Sequence, residues 1–145
     1  MQWKFGAHVA LTAALLMMGV ATSRADHGGS SSSTATTSTR LRTKLTGAAI
    51  ATKTPEGEAD FRTDSRGRTR LSVEVENVNL PAGTALTVAV VHGAASTNVG
   101  TITLSATMEN ELELNSQNGD LVPAVVKGDM VTVSNGATAI LAGVF

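Results

Sequence analysis

From Arg70 to Val78 the chain reads RLSVEVENV, which places Leu71, Val73 and Val75 on one side of an extended strand and Ser72, Glu74 and Glu76 on the other. The same two-residue period returns in TALTVAVV with Leu86, Val88 and Val90, in GTITLS with Ile102 and Leu104, in ELELN with Leu112 and Leu114, and in MVTVS with Val131 and Val133. No window of about ten residues keeps a helical period. The pattern predicts about eight strands, near 41–50, 57–63, 68–78, 84–92, 98–106, 110–115, 129–134 and 137–144. Strands with one apolar face each must bury those faces against one another, so the expected fold is all-β, a single antiparallel Greek-key β-sandwich.

Turn residues punctuate the strands. Asn135-Gly136 lies between two alternating runs, and both residues tolerate the positive φ of a type I′ hairpin, which is the expected turn there. Pro81 suits the second position of a type I or II turn. The chain also echoes itself. VNLPAGTALTV (Val78 to Val88) is answered by GDLVPAVVKGDMVTV (Gly119 to Val133), GEADF by GTITL, and RLSVEV by ELELN. Two readings of the echo stand: two four-strand half-repeats, or two stretches that obey the same strand-and-turn grammar.

Residues 1–25 have the form of a signal peptide. One positive charge in MQWK precedes the apolar HVALTAALLMMGVA, and Ser23 and Ala25 carry the small side chains of a cleavage site. That apolar stretch is short for a bilayer span, which needs about 20 residues, so no membrane span is expected after cleavage. Residues 26–39, DHGGSSSSTATTST, have too little apolar surface to offset the entropy of ordering and read as a flexible tether. Residues 40–145 form the expected domain. The chain has no cysteine, so no disulfide staples it and stability must come from a packed core. The expected destination is periplasmic or secreted.

Of 11 basic and 12 acidic side chains, Lys4 and Arg24 leave with the signal, so the mature chain is acidic overall and makes a poor nucleic-acid partner. Charge is uneven along it. Lys and Arg crowd the stretch from Arg40 to Arg70, whereas from Leu71 onward Lys127 stands alone among carboxylates. If the Arg-rich strands and the acidic strand lie on different faces, copies could assemble head to tail. If they are neighbours in one sheet, they neutralise each other across the ladder. A surface, matrix or self-association partner is the expectation from this charge distribution.

Catalytic parts are scarce. Beyond the signal there are two histidines, His27 in the tether and His92 near a strand end, and no nucleophile elbow. Cleavage after Ala25 would leave an Asp26-His27 terminus able to hold Cu(II) weakly. The candidate metal ligands in the domain are His92 and the acidic strand's Glu109, Glu111 and Glu113, whose alternation points them to one side, although the spacing of a calcium loop is missing. No cofactor and no enzymatic activity are expected. The leading expectation is an exported, non-enzymatic module with a surface, matrix or assembly role. The alternative is a metal- or small-ligand-binding protein built on His92 and nearby carboxylates.

The succession LTGAAI, PEGEADF, RLSVEVENVNL and VGTITLS resembles bacterial secreted domains related to the chordin-type (CHRD) domain. The resemblance implies a β-sandwich of the broad kind also seen in copper/zinc superoxide dismutases. Such domains commonly carry a His-x-His pair before a VGTI-like segment. Here the matching place reads Val90-Val91-His92, so only His92 matches and the first histidine is replaced by valine.

Overall fold

The computed structural model describes residues 37–107 and 110–145. The expected signal peptide (residues 1–25), the expected tether up to residue 36, and Glu109 lie outside the described residues. The domain is all-β, as the alternation requires. Its strands are β1 (Thr39–Thr46), β2 (Glu56–Thr63), β3 (Thr69–Glu76), β4 (Ala85–His92), β5 (Ala95–Thr103), β6 (Asn110–Asn115), β7 (Met130–Asn135) and β8 (Thr138–Val144). Among the described residues no helix is long and apolar enough to cross a membrane.

All eight strands lie in one antiparallel, nearly closed sheet of order β5-β4-β7-β8-β1-β2-β3-β6. The ladder is thinnest between β1 and β8, where Thr46 and Ala142 are the only registered partners. Glycines on both sides of the seam, one just after β1 and one in β8, allow the approach: a Cβ on Gly47 would overlap the carbonyl oxygen of Ile140, and one on Gly143 that of Lys44. At the opposite closure β5 and β6 share no ladder, and Leu112 of β6 packs over Gly100 of β5. The sheet is therefore two groups of four, β1-β2-β3-β6 and β5-β4-β7-β8. β6 leaves its chain neighbours and returns beside β3, the crossed connection of a Greek key.

These groups differ from the sequence halves by the exchange of β4 and β6. The likeness that the geometry expresses is a different one: β4–β5 against β7–β8. At one constant offset Val88, Val90, Gly93, Ala94 and Gly100 recur as Val131, Val133, Gly136, Ala137 and Gly143. Each hairpin turns on Gly-Ala, with Gly93 and Gly136 both at φ 58°. β4 and β7 pair Val88 with Val133 and Val90 with Val131, so the group has a local two-fold axis beside the Ala89–Thr132 pair. The β7–β8 turn is thus one residue later than the expected Asn135-Gly136. Asn135 stays in the ladder opposite Thr138, and only Gly136 takes a positive φ, the pattern of a type II′ turn.

One core fills the space between the groups. It draws Leu45, Ala59, Phe61, Leu71, Val73 and Val75 from the first, and Leu86, Val88, Val90, Ile102, Val131, Val133 and Leu141 from the second. A register shift between Val133 and Ser134 lets the consecutive Ile140 and Leu141 both face inward. Phe145 packs against this core. Its backbone is tied down, donating from its N–H to the Asp129 carbonyl and accepting from Gly128.

Candidate functional site

The outer face of β1-β2-β3-β6 carries most of the strand-borne charge of the domain, because the inward positions of those strands are taken by the core. Rungs of the ladder set the charges in rows. One row runs Arg40, Arg62, Arg70 and Asn115; the next Arg42, Asp60, Ser72 and Glu113. A third runs Lys44, Glu58, Glu74 and Glu111, and Glu56 lies opposite Glu76 beyond it. An all-arginine row thus stands at one end of the face and glutamate-rich rows at the other, with Arg40, Arg62 and Arg70 opposed in the first row and Glu58, Glu74 and Glu111 in the third.

Asp60 is the hub of the basic end. Its side chain is only 10% exposed because the arginines roof it over. Arg40 Nη2 lies 2.7 Å from Oδ2, Arg62 Nε 2.6 Å from Oδ1, and Arg42 Nε 3.4 Å from Oδ2. Burial pushes the Asp60 carboxyl up, but the hydrogen bonds and charges of Arg62 and Arg40 outweigh it and hold the group below its usual value. The same contact raises Arg62. In the β2–β3 turn, Asp64 accepts from the Arg68 side chain and from the backbone of Arg68 and Arg66, which lowers it to about 2. Arg70 reaches Glu113 at 2.6 Å, and Ser72 donates to Glu111.

The Arg-rich strands and the acidic strand are therefore neighbours on one face, joined by Arg70 and Glu113. The separate-faces arrangement required for head-to-tail assembly does not occur. At the acidic end a shallow hollow of about 370 Å³ is lined by Arg42, Lys44, Glu56, Glu58, Glu74 and Glu76. Within it Arg42 Nη2 lies 2.6 Å from Oε1 of Glu58.

His92 is elsewhere, at the end of β4. Its ring is 73% exposed and its Nδ1 lies 2.6 Å from Oδ1 of Asp129, a carboxylate on the β6–β7 connection that is buried. The other oxygen of Asp129 accepts from the Val126 N–H. That backbone bond holds the carboxyl below its usual value against the upward push of burial, and His92 adds to the lowering. The structure thus brings His92 to Asp129 and commits Glu111 to Ser72 and Glu113 to Arg70. No three His, Cys, Asp or Glu side chains gather to hold a metal among the described residues. Asp129 was not legible as a partner of His92, since the two are far apart in the chain and nothing in their spacing joins them.

No family model, no curated protein and no solved structure matches the chain.

Proposed function

We propose that this chain is an exported, non-enzymatic assembly module that docks through the charged face of β1-β2-β3-β6, with a second copy as its partner. The ladder of like charges carries this reading. Glu58 opposite Glu74, Glu74 opposite Glu111, and Arg40, Arg62 and Arg70 in one rung set like charges across the ladder, a repulsive cost that the diagonal pairs to Asp60 and Glu113 offset at the arginine end. Alternating the signs within each rung would remove that cost, so folding alone does not call for the pattern. A face graded from basic to acidic is complementary to itself when turned end for end. Two copies laid face to face with antiparallel strands place each arginine end over the other's glutamate end, and the two-fold closes the pair. Each exposed ion pair supplies about 0–1 kcal/mol, so several must act together. The export reading rests on the leader-like residues 1–25 and is checked by a mature amino terminus at Asp26.

Sedimentation or light scattering across a salt series tests the docking. The dimer fraction should fall as the Debye length shrinks from about 30 Å at 0.01 M to about 3 Å at 1 M. A charge-swap pair sharpens the test. Arg40→Glu with Arg70→Glu makes the face strongly net acidic, and Glu74→Lys with Glu111→Lys makes it net basic. Each variant alone should be monomeric, and a mixture of the two should pair. A wild-type protein that stays monomeric at low salt and high concentration would remove this reading.

A further inference from the structure

The end of the domain that carries His92 also holds a cleft that the charged face does not involve. It lies between the ends of β1, β2 and β3 and the 124–127 segment, with a volume of about 420 Å³. Its interior wall is the rung Leu41–Phe61, continuing the core stripe, and its opposite wall is Ala124, Val125 and Val126. One rung nearer solvent, the inward positions of the same three strands are Thr39, Thr63 and Thr69. Lys127 closes the rim. The lining therefore runs from apolar inside to hydroxyl and ammonium at the mouth.

The cleft wall is held in place. Val125 is buried in the core, Val126 donates its N–H to Asp129, and Asp129 returns its own N–H to the Val126 carbonyl at 3.1 Å. His92 pins Asp129 from the β4 side. An apolar hollow kept open by such a frame leaves Val126 half exposed and forfeits packing that a collapsed loop would gain. Among the described residues Lys127 forms no ion pair, and the hydroxyls of Thr39, Thr63 and Thr69 make no hydrogen bond.

We infer that this cleft binds a small anionic amphiphile, an apolar chain or ring bearing one carboxylate, with the apolar body against Leu41, Phe61 and Val126 and the carboxylate at Lys127 and the threonine hydroxyls. Charge complementarity selects the anionic head: the rim offers one unpaired ammonium, the arginine end of the sheet face stands beside it, and no carboxylate lines the cleft. The volume is in the range of small-ligand sites, roughly 300–1,000 Å³.

Decanoate and decylamine, which share a chain and differ in head charge, are the probes, read by backbone NMR shifts and calorimetry on the full chain. Decanoate should bind saturably, one per chain, and shift Leu41, Phe61 and Val126, whereas decylamine should bind about five-fold or more weaker. Lys127→Glu should weaken decanoate about five-fold and erase the preference. Ala124→Trp, which fills the cleft from an exposed position, should abolish binding of both, and Val126→Asp serves in its place if that variant melts early. Absence of saturable decanoate binding would overturn the assignment, as would equal affinity for decylamine or binding that survives the cleft-blocking variant. The readout is taken at Leu41, Phe61 and Val126 and at the cleft-blocking variant, none of which belongs to the graded sheet face, so the salt-dependent pairing stands or falls separately.

Discussion

The imidazole Nδ1 of His92 sits 2.6 Å from Oδ1 of Asp129, joining the end of β4 to the connection that leads into β7. Asp129 in turn holds the Val126 N–H and, through its carbonyl, the N–H of Phe145. One buried residue thus ties together a strand end and a loop through its carboxylate, and Phe145 through its backbone.

Acid should therefore weaken the fold in a defined window. Asp129, Asp60 and Asp64 all have folded values below their ordinary ones, Asp64 at about 2. For depressed carboxylates the stabilisation is complete above the unfolded value and lost as pH falls through the folded one. Urea midpoints should be flat above pH about 5 and drop between about 4 and 2. Asp129→Asn should lower the plateau and flatten part of that drop; an acid limb identical to wild type would show that Asp129 contributes nothing to it.

Removing the hub of the arginine cluster should cost more than removing any spoke. Asp60→Asn leaves Arg40, Arg42 and Arg62 facing one another without their shared carboxylate. Hydrogen bonds to charged groups contribute about 1.5–3 kcal/mol, and half-exposed guanidiniums place this case toward the lower end. Denaturant melts should show a loss of about 1–2 kcal/mol for Asp60→Asn and less than about 1 kcal/mol for Arg42→Gln. Equal losses would mean that the cluster has no centre.

The β1–β8 seam should be intolerant of a single methyl. A Cβ on Gly47 meets the Ile140 backbone, which can yield only if the strands part, whereas a Cβ on Gly100 meets the end of the Leu112 side chain, which can rotate. Overpacking typically costs about 1–3 kcal/mol. Gly47→Ala should reach or exceed the upper figure and Gly100→Ala should stay near about 1 kcal/mol; the reverse order in thermal melts would place the tight closure at β5–β6 instead.

Phe145→Ala should lower the melting temperature. The ring is half-buried against the core and its backbone is bonded at both N–H and C=O. A fully buried Phe costs about 3–5 kcal/mol on truncation, so about 2 kcal/mol is expected here. An unchanged melt would mean that the backbone bonds alone hold the chain end.

The alternation of Leu71, Val73 and Val75, and its recurrence around Val88, Ile102, Leu112 and Val131, was enough to determine an all-β chain of eight strands and the inward side of those alternating strands, because side chains on a strand point alternately to opposite faces whatever the strand pairs with, although β1 (Thr39–Thr46) and β5 (Ala95–Thr103) lie a few residues before the expected 41–50 and 98–106. It also placed Glu111 and Glu113 on the outer face. Which strands become neighbours was a different matter. β6 pairs with β3 and makes no ladder with β5, and this brings Arg70 to Glu113 and opposes Glu74 to Glu111. The strand faces are interchangeable in sequence pattern, and only the requirement that two groups of four bury one common core selects the crossed arrangement. The Asn135-Gly136 turn moved by one residue because the packing of both Ile140 and Leu141 introduces a bulge that local turn preference does not contain. His92 stood out in the sequence as a histidine at a strand end, but its partner Asp129 and the cleft between Phe61 and Val126 are made of residues distant in the chain. They meet only because the closing of the sheet brings the 124–129 connection back over the ends of β1, β2 and β3.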